Sequence, residues 1–185
     1  AMLQRAFFLL HGELDLDSLF RLSEPVLIDS LRRAAGDCPA GDLLAGLFGP
    51  RRQLYKRLAQ LSFFEEQEMY NRLAGRPYAW LAACAEHFAS VVSTALGRVV
   101  APHEVLFDAP PVAREVEFRV EIFSAKQDCY RPLSTVSPVV RSLAQEQFDD
   151  YGKRVRVFAH PRLAEPLRSL PNLPGLLDMA IGRME

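Results

Sequence analysis

The sequence predicts an α+β protein that is mainly helical, with a long buried central helix and a small, mostly antiparallel sheet of three to four strands in its second half. A change in hydrophobic period along the chain predicts this class. Apolar residues recur at helical spacing through most of residues 15–96, as on helices that bury one face. After Gly97 apolar and polar residues alternate, which is the period of a strand with one wet face.

Helices of the first half are bounded by residues that suit helix ends. Ser23 precedes one helical stretch and Gly36 follows it. The serine can accept a hydrogen bond from the first free amides, and the glycine can adopt the left-handed conformation that ends a helix. Ser62 and Glu65 have the spacing of a capping box, so they predict a further helix, which ends at Gly75.

The longest predicted helix covers residues 77–96 and is largely buried. Two apolar stripes run along it, and its polar side is narrow. That side consists of Glu86, Ser90, Ser93 and Thr94. No apolar run reaches the roughly 18 to 20 residues of a membrane span. The sequence therefore predicts a core helix and no membrane partner.

Three segments of the second half are predicted to be strands: residues 105–107, 116–122 and 153–160. The middle segment alternates apolar residues with charged ones, so one face of the strand should be exposed. The last segment carries Arg154 and Arg156 between its apolar residues. We expect these two charges to protect a sheet edge from pairing with another chain.

The change in composition near Gly97 predicts two lobes that share one core. Residues 1–97 form a helical lobe, which includes the basic stretch Arg51–Arg57. Residues 98–185 form a small α+β lobe. Its tail repeats proline at four positions, so we expect short helices separated by turns there.

The charge of the whole chain argues against binding driven by a general electrostatic field. The chain has 22 basic and 23 acidic residues, so any anion site must be local. Its three cysteines are odd in number and widely spaced. This pattern indicates neither a disulfide framework nor a zinc cluster, and it favours a cytoplasmic location.

The strongest candidate for a local anion site is the basic stretch after Gly49 and Pro50. Arg52 and Lys56 stand four residues apart, so they would lie on one side of either a helix or a strand. A guanidinium offers a planar fork of donors and an ammonium adds a point charge, a combination that suits phosphate. The period of residues 51–61 fits both structures, and we favour a strand. The alternative is a solvated face whose long side chains cover apolar surface.

The sequence lacks the residue patterns of known catalytic centres. Phosphate-binding loops, nucleophile elbows and dinucleotide-binding glycine motifs are all absent. None of the four histidines has the spacing to a second ligand that a metal hydrolase centre needs. They are His11, His87, His103 and His160. The sequence therefore predicts no catalytic residue and no metal ligand in this chain.

Four segments occur in an order that resembles the region after the catalytic core in HD-superfamily phosphohydrolases of the deoxynucleoside triphosphate triphosphohydrolase type. They are residues 17–31, 51–57, 105–110 and 153–158. The most specific part runs from Arg52 to Lys56. Members of the family hold a divalent metal through an H…HD…D pattern, and this chain has no His-Asp dipeptide. The resemblance implies that the chain is the non-catalytic carboxy-terminal part of such an enzyme, with the metal bound in the catalytic part outside it.

The same resemblance implies a regulatory and oligomerisation role. In the deoxynucleotide triphosphohydrolases, the arginine and lysine that match Arg52 and Lys56 contact the phosphates of a regulatory nucleotide at a subunit interface. We therefore expect a nucleotide effector at these two residues. The expected partners are the catalytic domain of the parent enzyme and further copies of the same chain.

A different class of function is a nucleic-acid-binding or protein-interaction module. Six cations could then contact a phosphate backbone: Arg51, Arg52, Lys56, Arg57, Arg154 and Arg156. Tyr55 would stack on a base. The near-neutral net charge counts against this alternative.

Overall fold

A computed structural model describes residues 1–110, 120–142 and 152–184, apart from the side chain of Ser134. It confirms the predicted α+β class. The helices of the described residues are α1 (Met2–Leu10), α2 (Leu16–Leu19), α3 (Glu24–Ala35), α4 (Ala40–Phe48), α5 (Gln67–Leu73), α6 (Tyr78–Leu96), α7 (Leu133–Val136), α8 (Pro138–Ser142), α9 (Pro161–Arg168) and α10 (Leu173–Gly182), with a 3₁₀ helix at Pro102–Glu104. The strands are β1 (Lys56–Leu61), β2 (Val105–Asp108), β3 (Glu121–Ser124), β4 (Cys129–Pro132) and β5 (Val155–Ala159).

Packing divides the chain into two units, each of which combines segments that are distant in sequence. The first unit consists of Ala1–Ala59, Pro77–Asp108 and Arg156–Glu185, and the second of Gln60–Arg76 and Ala109–Val155. Each of the two lobes predicted from composition is one continuous stretch of sequence, and that division stays a prediction. Composition marks positions along the chain, whereas packing also joins segments that lie far apart in it.

The long buried helix predicted from the sequence is α6. Leu81, Phe88 and Val92 are at most 3% exposed, and Gly97 ends the helix with a φ of 63°. By length and composition α6 is also long and apolar enough to cross a membrane, so the prediction that no run reaches that length is wrong. The alanines of α6 raise its mean hydropathy although their side chains are small. The buried core helix of a protein meets the same criterion of length and hydropathy.

The first helix, which the sequence patterns do not predict, completes an apolar cluster in the first unit. α1 packs on α4, and α3 packs on the same helix. Met2, Ala6 and Leu10 of α1 are buried in one cluster with Leu43 and Leu44 of α4. α4 is therefore covered by two helices, which fixes the position of the turn that follows it.

The larger sheet has the strand order β1-β5-β2, with β5 in the centre and antiparallel to β2. The prediction of a strand within residues 51–61 is confirmed for Lys56–Leu61. The prediction that Arg154 and Arg156 protect a sheet edge is wrong. Arg156 alternates with the buried side chains of β5 and lies 3.9 Å from Asp108 on the neighbouring strand. A charge on a central strand is tolerated there because the adjacent strand supplies a partner.

The capping box predicted before α5 forms, but with a different glutamate. The Ser62 hydroxyl accepts from the amide of Glu65 at 3.1 Å, and the amide of Ser62 donates to the carboxylate of Glu66 at 3.2 Å. These bonds close a turn, and α5 begins only at Gln67. The predicted helix is therefore confirmed in type but starts later than its capping residues suggest.

A two-stranded hairpin lies in the second unit. β3 and β4 pair antiparallel, and the rings of Phe123 and Tyr130, which face each other across the pair, are 5.4 Å apart. The strand predicted over residues 116–122 falls mostly on residues 111–119, which lie outside the described residues. The last two residues of the predicted strand, Glu121 and Ile122, are the first two residues of β3.

Candidate functional site

The turn after α4 directs two consecutive arginines into two separate concave surfaces of the first unit. The first surface, which we call the Arg52 groove, is lined by Ile28, Asp29, Arg32, Leu47, Phe48 and Arg52. The second surface, which we call the histidine cavity, is lined by Asp42, Arg51, His103, Glu104, His160 and Arg162. Gly49 and Pro50 border both surfaces, so this turn separates the two candidate sites.

The Arg52 groove has a volume of about 570 Å³ and is built around the end of α4. Arg52 donates from Nε to the carbonyl of Leu47 at 3.1 Å. Arg32 of α3 donates from Nη2 to the carbonyl of Phe48 at 2.7 Å. The last carbonyls of a helix have no partner within it, so both arginines stabilise the end of α4 and are held in place by it.

The groove contains carboxylates as well as cations. Glu24 and Asp29 line it, and Asp29 lies 3.9 Å from Arg32. These acids lower the positive potential at Arg32, whereas Arg52 donates its hydrogen bond to the neutral carbonyl of Leu47. Arg52 is therefore the stronger anion-binding group of the two.

The structure places the two predicted phosphate-binding residues differently. Arg52 precedes β1 and lines the groove, whereas Lys56 is the first residue of β1 and is exposed. Among the described residues Lys56 does not line this groove. Their joint role stays a prediction. The sequence patterns did not identify Arg32 as a residue of this surface. The only sequence signal for it is that it is a basic residue in the last turn of α3.

The histidine cavity has a volume of about 560 Å³, within the range of small-molecule sites. Glu104 anchors it. This carboxylate is only 6% exposed and binds Arg162 through both of its oxygens. Burial alone would raise the pKa of Glu104, but the hydrogen bonds from Arg162 and from the amide of Ala101 hold that pKa below its ordinary value.

The two histidines of the cavity are positioned by Tyr55. Its hydroxyl donates to the backbone carbonyl of His103 at 3.1 Å, and its ring lies edge-on to the ring of His160 at 5.4 Å. The Nδ1 of His160 accepts from the amide of Arg162 at 3.2 Å and caps α9. Burial lowers the pKa of His160, an effect reinforced by Arg162 and His103 and opposed by Glu104 and Asp42.

The cavity is not built as a metal centre. His103 Nε2 lies 3.5 Å from a carboxylate oxygen of Asp42. Within the part of the chain that the structure describes, no three His, Cys, Asp or Glu side chains come together in a way that could hold a metal ion. These residues therefore do not fit the divalent metal that the sequence resemblance implies for the catalytic part.

Replacing Gly49 should disturb the turn that carries both arginines. A Cβ at this position would collide with the backbone carbonyl of Ala45, so the turn would have to shift. We expect Gly49→Ala to lower the free energy of unfolding by about 1 kcal/mol, measured by urea denaturation. Gly12→Ala is the control, because an added Cβ there has nothing within 4 Å. Equal losses in both variants would show that the collision does not matter.

The fold and these surfaces define an α+β region with grouped arginine and histidine side chains. The family model for the HD associated region matches residues 1–170. The chain belongs to this family, and the resemblance inferred from the sequence to a region associated with HD-domain proteins is confirmed. Searches of curated proteins and of solved structures gave no match.

Proposed function

We propose that this chain is the regulatory and oligomerisation region of an HD-type, metal-dependent phosphohydrolase that acts on nucleotides, and that Arg52 and Lys56 bind the phosphates of a nucleotide effector. The family match supports the link to HD-domain proteins. The regulatory and oligomerisation roles and the action on nucleotides are our proposal beyond that link. The metal and the catalytic residues would belong to the HD domain of a cytoplasmic enzyme. This chain would bind that domain and further copies of itself.

The second part of the proposal is supported by the free donors of the basic stretch. The guanidinium of Arg52 is exposed and uses only Nε in its bond to Leu47. Among the described residues neither of its Nη groups has a hydrogen-bonding partner, and the same holds for the Nζ of Lys56. The capping bond holds the guanidinium in one orientation, so less side-chain entropy is lost when an anion binds.

Regulation requires that the nucleotide bind one assembly state more tightly than another. Arg52 and Lys56 lie on the surface, where each copy presents cations that a phosphate chain can reach. A triphosphate held between two copies would satisfy donors from both. Such a ligand would stabilise the oligomer by mass action, because it would bind the assembled form and not the separate chains.

Calorimetric titration of the 185-residue chain with deoxynucleoside triphosphates tests the site. A hydrogen bond to a charged group contributes about 1.5–3 kcal/mol. We therefore expect Arg52→Ala and Lys56→Ala each to weaken binding by about tenfold or more. Sedimentation velocity should also detect larger species when the nucleotide is added.

Arg33→Ala is the matched control for this experiment. Arg33 lies on α3 close to the groove, but its guanidinium bonds to the carbonyl of Asp29 and the hydroxyl of Ser30. This variant should bind the nucleotide as the parent does. If Arg52→Ala and Lys56→Ala also bind with parental affinity, the two residues do not form the phosphate site. Tight binding of single-stranded DNA that weakens steeply with salt would favour a nucleic-acid-binding module instead.

A further inference from the structure

The histidine cavity is a second concave surface that the proposed effector site does not use. Arg52 and Lys56 are not among the described residues that line it. It is formed where the turn after α4 meets the 3₁₀ helix and the start of α9. The amide of His160 donates to the carbonyl of Glu104 at 2.8 Å, so two of these walls are tied together. The cavity is therefore a preformed site.

The cavity contains one ion pair, one carboxylate beside a histidine, and one arginine without a described partner. Arg162 is neutralised by Glu104, and His103 lies beside Asp42. Arg51 makes no hydrogen bond or ion pair with another described residue. A cation without a protein partner at the wall of a cavity is available to an anionic ligand.

His160 adds a donor next to this cation. Its Nδ1 accepts a hydrogen bond from the amide of Arg162, so a neutral His160 must carry its proton on Nε2. That N–H has no described partner. The start of α9 lies at the same wall, and the amide ends of a helix favour negative charge.

We propose that the histidine cavity binds a small phosphate ester, with Arg51 and the Nε2–H group of His160 as the donors to its phosphate. A volume of about 560 Å³ is larger than a phosphate group alone needs. The remaining space, bordered by Ala45, Gly46 and Pro50, would hold the organic part of the ester. This proposal does not rest on the effector site at Arg52 and Lys56.

Phosphate binding at His160 should be coupled to proton uptake. Burial lowers the pKa of His160, as do Arg162 and His103, whereas Glu104 and Asp42 oppose this effect. An anion beside the ring favours the imidazolium form and so raises this pKa. Tyr55 also faces this ring, through its edge. The ligand should therefore bind more tightly as the pH falls from about 8 to about 6.

Titration of the full chain with sulfate and with ribose 5-phosphate tests the proposal. Sulfate keeps its charge across this pH range, so any change in its affinity reports on the protein and not on the ligand. The signals are the heat of binding and the NMR shifts of the histidine ring protons. We expect ribose 5-phosphate to bind more tightly than sulfate, because it also fills the space beyond the phosphate.

Two variants identify the donors. Arg51→Gln removes the free cation, and His160→Asn keeps a side-chain acceptor that can cap α9 while it removes the titratable ring. Each should weaken the binding of both ligands by about tenfold or more. His160→Asn should also lose most of the pH dependence. Urea denaturation confirms that both variants are folded.

Arg33→Ala is the control, because Arg33 is not among the described residues that line either surface, and it should bind both ligands as the parent does. Arg52→Ala reports on the other surface, which Arg52 lines. If this variant loses sulfate binding while Arg51→Gln and His160→Asn retain it, the anion binds in the Arg52 groove and the cavity proposal is wrong. No histidine shift with either ligand would overturn the proposal as well. Neither result would decide whether Arg52 and Lys56 bind a nucleotide, which is tested separately with triphosphates.

Discussion

Phe88→Ala is expected to lower the free energy of unfolding by about 3–5 kcal/mol. Phe88 is fully buried on α6, and its ring meets the ring of Phe107 of β2 edge-on at 5.8 Å. Truncation would remove this aromatic contact and leave a cavity between the central helix and the sheet. Urea denaturation followed by circular dichroism measures the loss, provided that the transition is two-state.

Phe20→Ala is the matched control for this substitution. Phe20 is 87% exposed, so the same chemical change should alter stability by about 0.5 kcal/mol or less. A small effect at Phe88 would mean that α6 is not the core of the first unit. Comparable losses at Phe20 and Phe88 would mean that the exposed phenylalanine is covered in solution.

The helical part of the fold could be predicted because its signals are local. Ser23 and Gly36 bound a helix that forms as Glu24–Ala35, and Gly97 ends α6 as expected. A cap and a hydrophobic period depend on residues a few positions apart, which a single sequence contains. The residue before α1 is Ala1, whose side chain cannot cap a helix, so the start of α1 leaves no local signal in the sequence.

The order of the strands could not be predicted in the same way. Whether a strand is central or at an edge depends on partners that are distant in the chain. β5 pairs with β2, and their sequence positions differ by about 50 residues. Arg156 of β5 was consistent with an edge or with pairing to a neighbour. The central position of β5 and the contact of Arg156 with Asp108 on the adjacent strand distinguish the two.

The candidate sites were predictable only where their residues are consecutive. The basic stretch around Arg52 is visible in the sequence, because its charges are neighbours. The histidine cavity combines His103 with His160, and their spacing matches no motif. The sequence could suggest neither histidine as a binding residue, since what brings them together is the pairing of β2 with β5.

Glu104→Ala is expected to lower the free energy of unfolding by about 3 kcal/mol near neutral pH. Removing one partner of a buried ion pair commonly costs about 3–5 kcal/mol. The lower end applies here, because the side chain of Arg162 is 47% exposed and water can solvate it after the loss. The amide of Ala101, which donates to Glu104 at 3.0 Å, would also lose its acceptor. Denaturant unfolding of parent and variant gives the difference.

Glu165→Ala separates the effect of burial from that of charge. Glu165 bonds to Arg168 at 2.7 Å, but its side chain is 81% exposed. An exposed pair of this kind contributes about 0–1 kcal/mol, so this variant should be nearly as stable as the parent. Similar losses in the two variants would mean that the pair at Glu104 gains nothing from its buried position.

The contribution of Glu104 should depend on pH in a direction fixed by its lowered pKa. Because the folded protein holds this pKa below the ordinary value of 4.5, the unfolded chain binds the proton more readily. The stability difference between the parent and Glu104→Ala should therefore be constant above that value and shrink as the pH falls from it through the folded pKa. A difference that grows on acidification would mean that the pKa is raised instead, and that burial outweighs the hydrogen bonds from Arg162 and Ala101.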